Sequence, residues 1–185
     1  MFIQTEATPN PATLKFLPGR AVMPSGTLDL REPGEAARSP LAERLFAISG
    51  VGGVFFGGDF ITVTKTAGEW QQLKPAILGA IMEHFMSDAP LLVAGSAETP
   101  AADEFFEEKD AETVATIKEL IETRVRPAVA NDGGDITFRG FKDGVVYLDM
   151  QGSCAGCPSS TATLKHGIQN LLRHFVPDVV EVRPM

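Results

Sequence analysis

Apolar residues recur at helical spacing in the first part of the C-terminal half. The recurring positions are Val114, Ile117, Ile121, Val125 and Val129. This spacing predicts an amphipathic helix over about 111–130. The two glycines of Asn131-Asp132-Gly133-Gly134-Asp135 are then expected to end it.

The rest of this half predicts a hairpin, a second helix and a last strand. Apolar and polar residues alternate on both sides of Lys142-Asp143-Gly144, which is typical of a hairpin turned by an Asp-Gly pair. Pro158 suits the first position of a helix, and the apolar face of that helix consists of Leu164, Ile168, Leu171, Leu172 and Phe175. Val179, Val180 and Val182 indicate a final strand. The order helix, strand, strand, helix, strand predicts an α+β layer.

The N-terminal half partly repeats this order. Ser39-Pro40 can cap and begin a short helix, and a hairpin is expected over Val51–Phe56 and Phe60–Val63. A second helix follows from the spacing of Trp70, Leu73, Ile77, Ile81 and Phe85, although Pro75 should begin or kink it. An extended piece is expected over Thr13–Leu17. The fold class is therefore α+β, with two small domains, each a layer of helices and strands.

Charge divides the chain between these halves. The 185 residues carry a formal charge of −8, and residues 98–112 alone hold seven carboxylates and one lysine. A short Pro/Ala/Glu stretch of this kind is typical of a linker. We therefore expect domains at 1–97 and 111–185, joined by an acidic linker at 98–110. Phe105 and Phe106 leave open the alternative that part of this stretch docks on a domain or a partner.

Composition narrows the function classes. A hydrophobic fraction of 44% with 22% charged residues is typical of a globular protein. A pI near 4.9 disfavours nucleic acid and anionic membrane surfaces as partners. No apolar stretch approaches the ~20 residues of a membrane span, and the first residues resemble neither a secretory signal nor a transit peptide. The expectation is a bacterial cytoplasmic protein, with the mitochondrial matrix as the alternative if a transit peptide has been removed.

The chain contains two cysteines, Cys154 and Cys157, at C-x-x-C spacing between a predicted strand and a predicted helix. Gly152 and Gly156 let the backbone approach a bulky group closely, and a helix N-terminus favours the thiolate. Three uses of the pair remain open: a thiol–disulfide redox pair, a zinc site and an iron–sulfur site.

Both metal sites commonly require four ligands, and one chain supplies two thiolates. His166 and His174 lie on the following helix, where a solvated face is the simpler interpretation. A four-thiolate site would therefore be shared by two chains at a two-fold axis. A site at such an interface opens easily, which suits a carrier that passes its cargo on.

The residues around the cysteines are similar to those of a known family. The sequence resembles the C-terminal domain of NifU and the Nfu proteins in two neighbouring segments, Gly152-Ser153-Cys154-Ala155-Gly156-Cys157-Pro158-Ser159-Ser160 and Thr163-Leu164-Lys165-His166-Gly167-Ile168. Arg126-Pro127 and Asp132-Gly133-Gly134-Asp135 resemble the other signature of that domain. The front half resembles the Nfu N-terminal domain through Gln4-Thr5-Glu6-Ala7-Thr8-Pro9-Asn10-Pro11, Leu14-Lys15-Phe16, Arg38-Ser39-Pro40-Leu41-Ala42 and Val54-Phe55-Phe56.

The resemblance implies an iron–sulfur cluster scaffold or carrier, and not an enzyme. In that family the C-x-x-C pairs of two subunits hold a [4Fe-4S] cluster, which is delivered to apo iron–sulfur proteins. Carried onto this chain, the cofactor-binding and metal-binding residues are Cys154 and Cys157 of each protomer of a homodimer. The other partners would be client proteins and an upstream cluster donor, and zinc is a possible adventitious substitute.

Two rivals and two smaller questions stay open at this point. The rivals are a thiol–disulfide oxidoreductase, which predicts a monomer, and a structural zinc dimer. Asp132 and Asp135 are either iron-binding carboxylates or, more simply, capping side chains of a Gly-Gly turn. Arg126 and Lys165 either screen the charge of a thiolate-bound cluster or are solvated.

Overall fold

The structure is a computed structural model that describes residues 2–94, 104–153 and 158–185, with only the backbone described at 158–161. The chain divides into two compact units, residues 1–99 and 100–185. The units contain mixed helices and sheets, so the predicted α+β class is confirmed.

The N-terminal unit contains a five-stranded sheet and two helices. Its strands are β1 (Gln4–Ala7), β2 (Thr13–Leu17), β3 (Leu28–Leu30), β4 (Val51–Phe56) and β5 (Ile61–Lys65), in the order β1-β2-β5-β4-β3 with antiparallel neighbours. A 3₁₀ helix (Pro33–Arg38) precedes helix α1 (Pro40–Phe46), and α2 spans Trp70–Met86. Pro75 lies inside α2 and does not begin it.

The core of this unit is formed by alternate residues of the sheet and the apolar faces of both helices. Phe16, Val54 and Ile61 are buried together with Leu41 and Ile81. Helix α1 begins as expected, because the Ser39 hydroxyl accepts a hydrogen bond from the Ala42 amide at 3.3 Å.

The C-terminal unit contains a three-stranded sheet packed against helices. Its elements are α3 (Ala111–Leu120), a π-helix (Ile121–Val125), α4 (Arg126–Asn131), β6 (Gly134–Lys142), β7 (Val145–Gly152), α5 (Pro158–Phe175) and β8 (Glu181–Pro184). The sheet order is β6-β7-β8, with β6 and β7 antiparallel and β7 and β8 parallel. Asp143 (φ 51°) and Gly144 (φ 78°) form the turn of the hairpin, and both take the positive φ of a type I′ turn.

The predicted helix over 111–130 is interrupted by the π-helix. Pro127 has no N–H and cannot donate to the carbonyl four residues earlier. Just before it, the Arg126 amide bonds the Ile121 carbonyl, five residues back. The last strand also begins later than expected, since its pairing with β7 starts at Glu181.

The end of the acidic stretch contacts the C-terminal unit. Phe105 forms a parallel bridge with Gly140 of β6, through bonds from its amide to Arg139 O (3.1 Å) and from the Phe141 amide to its carbonyl (2.9 Å). Its ring lies 5.2 Å from that of Tyr147. Phe105 is therefore docked on the edge of the sheet, which was one of the two alternatives for this residue.

Candidate functional site

The predicted site lies where β7 leads into α5. Cys154 and Cys157 themselves fall outside the described residues, and the structure describes the residues on either side of them, up to Ser153 and from Pro158. Strand β7 ends at Gly152, whose φ of 67° is in the left-handed region that favours glycine, and α5 begins at Pro158. The prediction that the pair follows a strand and precedes a helix is consistent with these bounds.

The residue directly before Cys154 is held on two sides. Ser153 is 1% exposed. Its hydroxyl donates a hydrogen bond to the Asp132 carbonyl, and its amide donates to the Gly133 carbonyl at 3.3 Å. Ser153 is thus attached to the turn between α4 and β6, twenty residues earlier in the chain.

The turn between α4 and β6 is held by its own backbone hydrogen bonds and by a glycine with positive φ. Gly133 has a φ of 82°, which only glycine adopts readily, and its amide donates to the Ala130 carbonyl at 3.0 Å. The Asp132 amide donates to the Val129 carbonyl at 3.1 Å. Gly134 then pairs with Gly152, so the first residue of β6 lies beside the last residue of β7.

A buried carboxylate follows the turn and is paired with Arg126. Asp135 is 4% exposed, and its two oxygens accept from Nε and Nη2 of Arg126 at 2.9 Å each. The Ile136 amide donates to the same carboxylate at 2.8 Å, and Glu122 accepts from Nη1 of Arg126 at 2.7 Å. Two parallel bonds to one carboxylate are among the stronger side-chain interactions in proteins.

The charges around Arg126 favour its cationic form. The hydrogen bond with Asp135 is the largest cause that raises the pKa of Arg126, and the bond with Glu122 adds to it, against the opposing effect of burial. The guanidinium is therefore engaged by two carboxylates. The Arg126 side chain is thus paired with carboxylates while it remains 30% exposed.

The other candidate residues are placed less centrally. Lys165 of α5 contacts Glu181 at 3.3 Å, so it too is paired with a carboxylate. His166 and His174 are exposed on α5, as the simpler interpretation expected, and the His174 ring lies 5.0 Å from that of Phe175. Asp132 contributes its carbonyl to Ser153, and the Asp135 carboxylate is occupied by Arg126. Both contacts support a structural role for this turn.

Sequence reasoning missed the anchoring of Ser153 and the pairing of Arg126 with Asp135. The available signal was a small polar residue next to the cysteines, together with opposite charges on either side of a Gly-Gly turn. Among the residues that the structure describes, no cluster of three or more His, Cys, Asp or Glu side chains is arranged to hold a metal ion. Within the same residues, none of the helices combines the length and apolar character needed to cross a membrane.

The comparisons with known proteins agree with both halves of the structure. The family described as "Scaffold protein Nfu/NifU N terminal" matches residues 3–88, and the family "NifU-like domain" matches residues 117–183. The human protein named "NFU1 iron-sulfur cluster scaffold homolog, mitochondrial" is 54% identical over 97% of this chain and 70% of its own length. This chain belongs to the Nfu/NifU scaffold protein family, as its motifs indicated.

Two further relatives show the same extent of similarity. The protein of the same name from Drosophila ananassae is 52% identical over 98% of this chain and 63% of its own length. "NifU-like protein 4, mitochondrial" from Arabidopsis thaliana is 52% identical over 97% of this chain and 64% of its own length. The chain thus spans about two thirds of the length of these relatives.

The names of these relatives correct one expectation. All three are named mitochondrial, and the expected bacterial cytoplasmic location is therefore wrong. The first residues of the chain had suggested that location. They do not distinguish a bacterial protein from one that works inside a mitochondrion.

Proposed function

We propose that this protein is an iron–sulfur cluster scaffold and carrier, and not an enzyme. Its cargo would be a [4Fe-4S] cluster held by Cys154 and Cys157 of two protomers. Family membership supports the scaffold role. The observation that carries the assignment to this site is that the first cysteine of the C-x-x-C pair, Cys154, directly follows Ser153, whose hydroxyl and amide are hydrogen-bonded to the Asp132-Gly133 turn.

We also propose how the two halves divide the work. The N-terminal domain, at 1–97, would recognise the client protein, and the C-terminal domain, at 111–185, would bind the cluster. The acidic segment 98–110 would join the two domains. The N-terminal half contains no cysteine, so ligation falls to the C-terminal half. Apo iron–sulfur proteins and an upstream cluster donor are the proposed partners besides the second protomer.

Transfer would proceed by thiolate exchange. Each iron–sulfur bond to Cys154 or Cys157 that breaks is replaced by a bond to a cysteine of the client. The client thiol loses a proton and the released cysteine gains one, while the iron and sulfide keep their oxidation states. A cluster shared at a subunit interface is accessible to such an exchange.

The test is anaerobic reconstitution of the full chain with iron and sulfide, followed by Mössbauer and visible spectra and the mass of the coloured species. We expect a [4Fe-4S] signal at about four iron per dimer, and Cys154→Ala or Cys157→Ala should abolish it. His166→Ala is the matched control, because His166 is exposed on the adjoining helix, and it should bind as the wild type does.

Two results would overturn the proposal. One is a cysteine variant that still retains stoichiometric iron and sulfide. The other is a colourless monomer that forms a Cys154–Cys157 disulfide and turns over a disulfide substrate, which would establish the oxidoreductase. Tightly bound zinc would not settle the matter, because a four-thiolate site accepts zinc as well.

A further inference from the structure

One end of the β6–β7 hairpin combines several polar contacts of different kinds. At the opposite end, a two-residue turn at Asp143-Gly144 closes the hairpin through backbone geometry. At the end that leads to the cysteines, a buried serine, a glycine turn and a buried ion pair come together. The fold of the hairpin alone does not require this arrangement.

The contacts form a chain that ends next to Cys154. Arg126 lies at the start of α4 and donates two hydrogen bonds to the Asp135 carboxylate. This contact joins the first and last residues of the segment 126–135. Within that segment, the Asp132 carbonyl accepts a hydrogen bond from the Ser153 hydroxyl, and the Gly133 carbonyl accepts one from the Ser153 amide. A restraint on the turn is therefore also a restraint on Ser153, the residue directly before Cys154.

Charge screening is a poor explanation for Arg126. Its guanidinium is engaged by Asp135 at 2.9 Å and by Glu122 at 2.7 Å, so the positive charge is already balanced by carboxylates. A cation used to screen a bound cluster would instead be directed to the cargo. Holding the turn in place is what these contacts accomplish.

We propose that Ser153 and the Arg126–Asp135 pair are positioning residues, which hold the chain directly before Cys154 in place so that the cluster is retained. This inference rests on the proposed function. Residues that orient metal ligands without touching the metal commonly change affinity by about 10–100-fold when replaced. Ser153→Ala, which removes only the hydroxyl, should therefore speed cluster release to a chelator by about tenfold.

The Arg126 variants separate geometry from charge. Arg126→Gln removes the charge and the two-bond grip, whereas Arg126→Lys keeps the charge and loses the two parallel bonds. If geometry matters, Arg126→Lys should release the cluster faster than the wild type, at a rate closer to that of Arg126→Gln. If Arg126→Lys releases the cluster at the wild-type rate, the charge alone is sufficient, and the positioning role of the pair is overturned.

Arg139→Gln is the matched control. Arg139 also pairs with a carboxylate of this hairpin, at 2.9 Å from Asp149, but it lies in the middle of β6 and not at the turn. Thermal unfolding of the apo chain is followed for every variant. Faster release from Arg139→Gln to the same extent as from Ser153→Ala would indicate general loosening and would overturn the proposal.

A second measurement needs no cluster. Amide hydrogen exchange of the apo full chain should increase about tenfold in the peptide covering 150–157 of Ser153→Ala, with the rest of the sheet unchanged. Unchanged exchange in this peptide overturns the positioning role, whether or not Cys154→Ala shows that the cysteines bind the cluster. Increased exchange together with loss of the cluster in Cys154→Ala supports both proposals.

Discussion

The two units each bury a titratable side chain, and they treat it in opposite ways. His84 on α2 is 1% exposed, and neither of its ring nitrogens has a hydrogen-bond partner in the described part of the chain. Asp135 in the C-terminal unit is 4% exposed and is held by Arg126 and by the Ile136 amide. Burial without a partner only costs stability, whereas burial with a charged partner fixes a turn in place.

The electrostatic surroundings sharpen this contrast. Burial is the main cause that lowers the pKa of His84, and the nearby cations Arg44 and Arg20 lower it further. These surroundings favour the neutral form of the histidine in the folded protein. Around Arg126, two carboxylates favour the charged form instead. His84 is thus packed in the interior of its unit without a polar partner among the described residues, whereas the Arg126–Asp135 pair fixes the turn beside the candidate site.

The largest expected effect comes from breaking the C-terminal ion pair. Arg126→Ala leaves the buried Asp135 charge without its partner, and we expect it to lower the free energy of unfolding by about 3 kcal/mol. Chemical denaturation at pH 7 measures this loss. Replacing both partners with apolar residues, Arg126→Met with Asp135→Leu, should be less damaging than Arg126→Ala alone. A double variant that is less stable than Arg126→Ala would contradict this account of the pair.

The next effect concerns His84 and acid. Because the pKa of His84 is lowered in the folded state, the unfolded chain binds the proton more readily. Stability is then independent of this group above its ordinary pKa of 6.5, and it falls as the pH decreases below that value, by at most about 1.4 kcal/mol per pH unit.

Denaturation of the wild type and His84→Leu between pH 7 and 5 checks this behaviour. The variant should lose less stability than the wild type over that range. Asp135→Asn is not expected to remove the effect, since it lies in the other unit. Equal acid sensitivity of the wild type and His84→Leu would refute the assignment to His84.

A smaller effect is expected where Phe105 docks. A Cβ on Gly140 would meet the Phe105 ring, so Gly140→Ala should displace the ring from its place beside Tyr147. We expect a loss of about 1–2 kcal/mol, mainly from the two backbone hydrogen bonds of Phe105. Faster amide exchange at Phe105 and Phe141 reports the displacement. Wild-type protection of both amides in the variant would show that the dock tolerates the added carbon.

The smallest effects compare one helix from each unit. Apart from the chain neighbours and the backbone of the helix itself, a Cβ added to Gly79 in α2 or Gly167 in α5 would meet no atom within 4 Å. Alanine at either position should therefore stabilise its helix by about 0.5–1 kcal/mol, since it loses less backbone entropy on folding. Denaturation midpoints of Gly79→Ala and Gly167→Ala measure this. A decrease in either midpoint would reveal a contact that the open space does not suggest.

Local patterns in the sequence were enough for much of the fold. Alternation predicted the strands on both sides of Asp143-Gly144, the Ser39-Pro40 cap marked the start of α1, and Thr13–Leu17 is a strand with those bounds. The family was also identified correctly from its motifs. These features depend on neighbours in the chain, which a sequence displays directly.

Features that depend on distant partners could not be predicted. Val179 and Val180 both favour a strand, yet Val179 is 1% exposed in the core, Val180 is 61% exposed, and pairing begins only at Glu181. The partner of Arg126 could not be chosen among the nearby carboxylates without the turn that brings Asp135 back to α4. The same applies to Ser153, whose acceptors, Asp132 and Gly133, lie 21 and 20 residues earlier.

The π-helix lets this part of the protein accommodate one residue of additional length. The segment Ile121–Val125 adds to its turn one residue more than an α-helix would use, and Arg126 follows immediately. Because the wider turn takes up the extra residue, the helix on either side of it keeps its direction. Deleting one residue from this segment should therefore restore an ordinary α-helical turn and leave Arg126 in place to pair with Asp135. Homologous sequences that lack one residue here can keep the same ion pair.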